Sequence, residues 1–445
     1  MRRPLLALVL LVGCSDDSFH QTDTWPIHLR RAPLIEGQPT VGGLLARTQI
    51  NGEEVPLVVD TAFPGSALAK TPCPSAARSN WNYSGNLAVL DGVADPAPLR
   101  ALFQNVGLFD VCPGAVGSRD VVPSGILGGS TLIGFSVSLT LPASASSSAT
   151  MTLWPQSPAP TDGWFAEQGT VSLRFALRGQ VLLSNNGGDN TLTLPGTRVV
   201  LGACLAPEAF AASQPRSECM VGDVAKRATG TDALLVVGTG TGPLVIGETA
   251  YARIAARLGI PASDGSQGEL FLPLASAPIP ARFVTLPRLA LFTSATNDTW
   301  LGACAELGRA RRIEWVLANQ TAGACFERCD ANGNQAQWTS PYLELGDGIP
   351  TAIVSETSDL FLSLNMDAPP AARIDGMIGA GTLAGTNIEI DYLSKPQGRF
   401  LARCEDGTNR TRCFAAPSCP PIAKEGQKHR CFGLPEKPYQ TVCAP

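Results

Sequence analysis

The chain has 445 residues, of which 44% are hydrophobic and 16% are charged, and this length suggests roughly two to three domains. Its 45 glycines and 36 prolines are typical of a turn-rich β protein, and its net charge of −5 without clustered basic residues argues against nucleic-acid binding. The three histidines, His20, His28 and His429, leave residues 29–428 without one, which disfavours serine, cysteine and zinc hydrolases and predicts neither a metal nor a cofactor.

The N-terminus reads as a targeting signal. Arg2 and Arg3 precede an apolar run from Leu5 to Val12 that is too short to span a bilayer. The run leads through Gly13 into Cys14, which resembles a bacterial lipoprotein signal. The resemblance implies a signal peptide over residues 1–13, a lipid on Cys14, a tether over residues 14–31 and a place in the bacterial cell envelope, at the outer membrane or periplasmic face. An ordinary secretory signal cut nearby is the alternative.

The cysteines agree with export. Of the 13 cysteines, Cys14 is assigned to lipid, and the even remainder allows up to six disulfides in an oxidising compartment. Cys73 and Cys112 are the two cysteines within the predicted first lobe, residues 32–158, and we predict that they pair. Cys204 with Cys219 would close a short loop. The remaining connectivity stays open, and for Cys325-x-x-x-Cys329 a disulfide is favoured over a metal site because no second ligand pair accompanies it.

The first half predicts a buried strand that ends in an aspartate. Asn51-Gly52 is a hairpin signal, and the apolar run Val55–Val59 is typical of a core strand. Asp60 follows at the start of a Thr/Gly/Pro turn, where it either caps its own loop or carries chemistry. Further on, Gly125-Ile126-Leu127-Gly128 leads into an alternating strand.

The second half repeats this pattern. Val236-Val237-Gly238-Thr239 matches the Asp60 stretch, and Asp375–Gly379 matches the Gly-Ile-Leu-Gly element. The segment Glu248–Leu258 predicts an amphipathic helix that ends before Gly259. The repeat indicates two similar lobes, which we place at residues 32–158 and 159–403, followed by a Cys-rich extension over residues 404–445.

These blocks resemble the pepsin-like aspartic peptidases and their single-lobe retroviral relatives. In that family each lobe has an apolar strand ending in Asp-Thr-Gly and a later apolar-apolar-Gly element that threads against the Asp loop. The resemblance implies an all-β, bilobal fold with two pseudo-symmetric β-barrel-like lobes, a cleft between them and few short helices. It also implies that Thr61 and Thr239 brace the two loops across the lobe interface.

The departures concern the chemistry. The family uses two carboxylates that share one proton around a water, one as base and one as acid. Asp60 has the position of the first, but Gly238 stands where the second is expected, and Ala62 replaces the usual glycine. A sequence error at Gly238 is one alternative, since a single nucleotide separates Asp and Gly codons.

The resemblance and its departures lead to three functional hypotheses. The first is a lipid-anchored, catalytically impaired, monomeric homologue that binds an extended peptide or protein in its cleft. The second is an active aspartic endopeptidase that uses Asp60 with an unrecognised second carboxylate. The third is a structural surface lipoprotein that keeps only the fold.

Overall fold

The computed structural model describes the two lobes but not every connecting segment. Among the described residues, no helix has the length and apolar character needed to cross a membrane. The described residues are 26–31, 43–50, 53–69, 87–89, 107–109, 125–141, 149–154, 157, 170–179, 181–184, 191–194, 196–209, 229–270, 272, 278–293, 302–308, 310–311, 341–346, 348–366, 368, 372–394, 398–404, 411–414, 430–434 and 437–444.

A twelve-stranded sheet takes strands from both halves of the chain. Its strands are β1 (Pro26–Arg31), β2 (Leu44–Ile50), β3 (Glu53–Asp60), β4 (Ala67–Ala69), β5 (Leu87–Val89), β6 (Gly107–Phe109), β7 (Gly125–Gly128), β8 (Ser136–Leu141), β9 (Ala149–Trp154), β10 (Thr170–Arg174), β23 (Thr386–Asp391) and β24 (Arg399–Cys404). The spatial order is β10-β24-β23-β8-β9-β1-β2-β3-β7-β4-β6, with β5 beside β2.

An eleven-stranded sheet builds most of the second lobe. Its strands are β11 (Ala176–Arg178), β14 (Arg198–Leu205), β15 (Thr231–Val237), β16 (Leu244–Gly247), β17 (Ser266–Leu270), β18 (Ile279–Leu286), β19 (Leu289–Phe292), β20 (Tyr342–Leu345), β21 (Ile349–Val354), β22 (Gly376–Ile378) and β25 (Thr411–Phe414). Two separate hairpins pair β12 (Val181–Ser184) with β13 (Thr191–Leu194), and β26 (Arg430–Leu434) with β27 (Lys437–Ala444).

The helices of the described part of the chain include α1 (Gly129–Leu132), α2 (Glu248–Leu258) and α3 (Asp359–Asn365), and residues 303–308 are also helical. The α2 helix has the predicted bounds. It buries Tyr251 and Ile254 and ends at Gly259, whose φ of 68° is the left-handed conformation that glycine adopts without penalty.

The hydrophobic pattern explains which strands are central. In β8 the apolar residues Val137, Leu139 and Leu141 face the core, because alternate side chains of a strand point to opposite faces. Strands β14 and β15 are buried at every position. Their sequences are therefore mostly apolar and lack the alternation of apolar and polar residues that a half-exposed strand has. One large apolar cluster includes residues of both lobes.

Each lobe contains the same three-strand arrangement. In the first lobe β7 lies parallel to β3 and antiparallel to β4. In the second lobe β22 lies parallel to β15 and antiparallel to β16. The repeat read from the sequence is therefore structural, and the predicted all-β, two-lobed fold class with few helices is confirmed.

Strand pairing crosses the predicted segment boundaries at three places. Strand β1 belongs to the folded sheet although it falls in the predicted tether, because its backbone pairs with both β2 and β9. Strand β25 lies in the predicted Cys-rich extension but pairs with β20 of the second lobe. Strands β10, β23 and β24, assigned by sequence to the second lobe, lie in the same sheet as the first lobe.

The disulfide expected between Cys204 and Cys219 is wrong. Cys204 bonds to Cys304, with an S–S distance of 2.04 Å across 100 residues of sequence. An ideal Cβ at Gly230 would lie 2.3 Å from one sulfur and 2.8 Å from the other, so the bridge packs directly against this glycine. Cys404 bonds to Cys413, a pair that the sequence left open.

Candidate functional site

The two loops singled out in the sequence occupy equivalent places in the two lobes. Val58 pairs with Ile126 in the first lobe, as Val236 pairs with Met377 in the second. Two residues beyond these valines, the chain reaches Asp60 in the first lobe and Gly238 in the second. The structural register therefore makes Gly238 the counterpart of Asp60.

Thr61 and Thr239 join the two loops across the lobe interface. The Thr61 hydroxyl donates to the carbonyl of Val237 at 2.7 Å, and the Thr239 hydroxyl donates to the carbonyl of Val59 at 2.8 Å. Each hydroxyl also accepts the other threonine's backbone N–H, at 3.3 and 3.4 Å. Both side chains are fully buried, so this reciprocal set of hydrogen bonds fixes the two loops against each other.

Asp60 is a buried carboxyl at this interface. It is 7% exposed, and its Oδ1 accepts the N–H of Ala62 at 2.9 Å. Burial raises the pKa of Asp60, because the charged form is poorly solvated there. The backbone N–H groups of Ala62, Gly240 and Phe63 and the cation of Arg198 each lower the pKa of Asp60. The effect of burial is larger than theirs, so the pKa is raised.

The space beside Gly238 is filled. An ideal Cβ built on Gly238 would lie 2.3 Å from Sδ and 2.6 Å from Cγ of Met377, and 2.9 Å from Cβ of Ala62. Gly240 is the second-lobe counterpart of Ala62, and a Cβ on Gly240 would lie 2.6 Å from Cγ of Asp60. The two halves of the site thus face each other symmetrically, but one holds a carboxyl and the other a thioether and a methyl group.

Arg198, at the start of β14, ties the Asp60 loop to the second lobe. Its Nε donates to the carbonyl of Ala62 at 3.0 Å. One terminal nitrogen donates to the carbonyl of Ser363 at 2.9 Å, and the other donates to its hydroxyl at 3.0 Å. The preceding Thr197 donates to the carbonyl of Pro64 at 3.1 Å. Three hydrogen bonds therefore hold the planar guanidinium of Arg198 in place, and its positive charge lowers the pKa of Asp60.

Tyr392 is a second ionisable group near Asp60. It is 2% exposed, and its hydroxyl has no hydrogen-bond partner in the part of the chain that the structure describes. Burial raises the pKa of this phenol, and the negative charge of Asp60 raises it further. Tyr392 therefore stays neutral and adds no charge to the site.

Three other carboxylates of the second lobe, Asp232, Asp375 and Glu248, hold local structure. Asp232 accepts the N–H of Cys304 at 2.7 Å, at the start of the helical stretch 303–308. Asp375 accepts the N–H of Leu234 at 3.0 Å and pairs with Arg253 at 2.9 Å. Glu248 opens α2, where a carboxylate complements the helix dipole.

The structure thus places Asp60, Gly238, Thr61 and Thr239 together, while Cys14, Cys73 and Cys112 lie outside the described residues. Sequence reasoning missed Arg198 and the space-filling role of Met377. Arg198 begins the apolar strand β14 and Met377 lies in β22. Each contacts the Asp60 loop only in the folded chain, so the local sequence does not indicate its role. Within the described residues, no cluster of three or more His, Cys, Asp or Glu side chains is placed to hold a metal ion.

The elevated pKa of Asp60 gives a prediction with a definite sign. Because the folded-state pKa lies above the unfolded value of 3.8, the contribution of this carboxyl to stability is complete below that value and is lost as pH rises through the folded pKa. The amide of an Asp60→Asn variant cannot ionise, so the stability of this variant relative to the wild type is expected to increase with pH. Urea denaturation at a series of pH values checks this.

The control for loss of one negative charge is Asp264→Asn, because Asp264 is exposed. A single exposed charge contributes little to stability, so this variant is expected to be about as stable as the wild type. Parallel stability curves for wild type and Asp60→Asn would contradict the burial argument.

Comparison with known proteins gives structural similarity alone. The chain matches no family model and resembles no curated protein sequence. It is similar to the crystal structure of an aspartic proteinase from Irpex lacteus, with 12% identity, a TM-score of 0.40, and coverage of 87% of this chain and 99% of that one. It is also similar to basic 7S globulin from soybean, with 10% identity, a TM-score of 0.36, and coverage of 85% and 94%. The all-β, two-lobed fold class rests on the chain's own strand pairing and on its threonine-linked loops.

Proposed function

We propose that the chain is an exported, lipid-anchored, pepsin-like protein that is catalytically impaired and holds an extended peptide or protein segment between its lobes. The observation that carries the proposal is the packing at Gly238. Gly238 has no side chain, and the Cβ of an aspartate there would overlap Met377 and Ala62.

The chemical argument concerns proton transfer. Two close carboxylates cannot both ionise, so one serves as base and the other as acid. Across from Asp60 the second lobe offers no such partner at Gly238, and the charged group that influences Asp60 is Arg198. A guanidinium does not release its proton in proteins, so it cannot replace the missing acid. Arg198 therefore supplies a permanent positive charge near Asp60 but no proton for catalysis.

The binding part of the proposal draws support from what the site retains. The four hydrogen bonds between the Thr61 and Thr239 loops keep the lobes in register. An extended peptide gains affinity from main-chain hydrogen bonds and specificity from pockets for alternate side chains. Neither needs a catalytic dyad, so loss of the second carboxylate leaves this role available.

Residues 1–14 supply the remaining part of the proposal. The signal over residues 1–13 directs export, and Cys14 carries the lipid that holds the protein at the bacterial cell envelope. This part rests on the sequence pattern of the N-terminus.

A combined assay tests the proposed function. Purified protein is incubated with unfolded protein substrates from about pH 2 to about pH 8, the range in which carboxylates and histidines titrate. We expect hydrolysis no faster than that of Asp60→Asn, together with measurable binding of extended peptides by fluorescence anisotropy.

The alternatives predict different results. Hydrolysis that stops in Asp60→Asn would establish an active endopeptidase, a candidate favoured by the raised pKa of Asp60, since catalytic acids have perturbed pKa values. If the protein shows no hydrolysis and binds no peptide, the result favours the third hypothesis, a structural surface lipoprotein.

A further inference from the structure

The last two strands of the chain form a hairpin of their own. Strand β26 pairs antiparallel with β27, and neither pairs with any other strand among the described residues. A two-stranded hairpin without a larger sheet beside it is marginally stable in water. The backbone ladder alone therefore contributes little to keeping this hairpin closed.

The register of the hairpin places two cysteines directly opposite each other. Four consecutive residue pairs follow one regular register, and the second of these pairs joins Cys431 with Cys443. The register shifts only after Gly433, outside these four pairs. Residues directly opposite in an antiparallel ladder share one face of the sheet and have Cα atoms about 4.5–5.5 Å apart. Disulfides usually join Cα atoms about 4.4–6.8 Å apart, so the backbone already has the separation that a disulfide requires.

The other bond of the C-terminal extension leaves this pair available. Cys404 bonds to Cys413, so the cysteines of the extension that remain are Cys419, Cys431 and Cys443. The proposed export brings these thiols into a compartment where disulfides form and persist. Spacing does not determine which of the three pair, but the strand register favours the two that are opposed.

We propose that Cys431 and Cys443 form a disulfide across the β26–β27 hairpin and that this bond keeps the hairpin closed. The inference rests on the proposed export but not on peptide binding between the lobes. One thiolate attacks the disulfide of a thiol–disulfide oxidoreductase, and the second then displaces that enzyme from the mixed disulfide. The two cysteines lose two protons and two electrons, and the oxidoreductase leaves as a dithiol.

Peptide mapping tests the bond in the full-length protein, which is produced in a bacterium with its own N-terminus, purified without reductant and alkylated. Cleavage after glutamate separates the remaining cysteines of the extension, because Glu425 and Glu436 lie between them. We expect residues 426–436 and 437–445 to appear as one joined fragment that separates on reduction. Recovery of Cys443 in its alkylated form, or joined to any other fragment, would overturn the inference.

The variant Cys404→Ser/Cys413→Ser is the control for exchange between cysteines. It removes the neighbouring disulfide and should still yield the joined fragment, because the hairpin register does not depend on that bond. Loss of the joined fragment in this variant would show that the register does not select the pair, which would also overturn the inference.

Hydrogen exchange tests the role of the bond. In Cys431→Ser/Cys443→Ser the amides of β26 and β27 should exchange about 100-fold faster than in the wild type, since the crosslink no longer limits opening. The amides of β8 should be unchanged, because the hairpin pairs with neither large sheet. Unchanged exchange in the hairpin would overturn the proposed role.

The mapping also separates this inference from the proposed function. If Cys443 alone is found unbonded while Cys404 and Cys413 are joined, the inference about the hairpin fails and the proposed export is unaffected. If all these cysteines are recovered alkylated, the chain has not met an oxidising compartment, and the proposed export fails together with the inference.

Discussion

A Gly238→Asp variant is expected to be less stable than the wild type by about 3–5 kcal/mol and to gain no peptidase activity. The new side chain meets Met377 and Ala62 at distances well below van der Waals contact, and it introduces a carboxyl where apolar atoms now pack. Urea denaturation measures the loss, and acid proteolysis assays measure the activity.

The control is Gly302→Asp. An ideal Cβ at Gly302 has no neighbour within 4 Å, and the residue precedes the helical stretch 303–308, where an aspartate is a favourable N-cap. This variant should be as stable as the wild type or slightly more stable. Equal stability of Gly238→Asp and the wild type would contradict the packing described at the site.

Relief of the overlap should rescue the substituted protein. Ala62→Gly removes the methyl group, and Met377→Ile installs the residue that the first lobe has in the equivalent place, Ile126. The triple variant Ala62→Gly/Gly238→Asp/Met377→Ile is expected to recover most of the lost stability and to show acid proteolysis that Asp60→Asn abolishes. A stable triple variant without activity would show that further residues, such as Arg198, block the chemistry.

Replacement of Thr239 by Val is expected to cost about 2–4 kcal/mol of unfolding free energy. The substitution keeps the shape of the side chain but removes the donor to the Val59 carbonyl and the acceptor for the Thr61 N–H. Each buried group left without a partner costs about 1–3 kcal/mol. Thermal and urea unfolding of the variant measure the effect.

A double-mutant cycle shows whether the two threonines act as one unit. The summed effects of Thr61→Val and Thr239→Val should exceed the effect of the double variant by more than about 0.5 kcal/mol, because both sets of hydrogen bonds hold the same two loops together. Thr382→Val is the control: Thr382 is buried, but its hydroxyl has no partner within the described residues. Strict additivity would mean that the two loops are held by other contacts.

The sequence predicted the elements that depend on local pattern. The apolar run before Asp60, the repeated Gly-x-x-Gly elements and the cap of α2 at Gly259 each carry a short-range signal, and each appears in the structure. The pairing of Asp60 with Gly238 followed from the repeat, since duplication relates two distant stretches without any need for coordinates.

Features that depend on contacts between distant residues could not be predicted in this way. Met377 read as one more apolar residue, and its role depends on which side chains the second loop brings against it. Arg198 carries no local sequence signal for its role, which is to bridge Ala62 and Ser363. The partner of Cys204 lies 100 residues away, and spacing alone does not determine connectivity.

The sheet shared by both lobes has a consequence for how the chain folds during synthesis. Strand β8 is paired on one side by β9 and on the other by β23. The ribosome makes β23 much later, since Ser136 and its partner Glu389 are 253 residues apart. Until then β8 presents an open edge, and open edges template aggregation. The first half therefore exposes the free edge of β8 until β23 has been synthesised, and the sheet shared by the two lobes is complete only then.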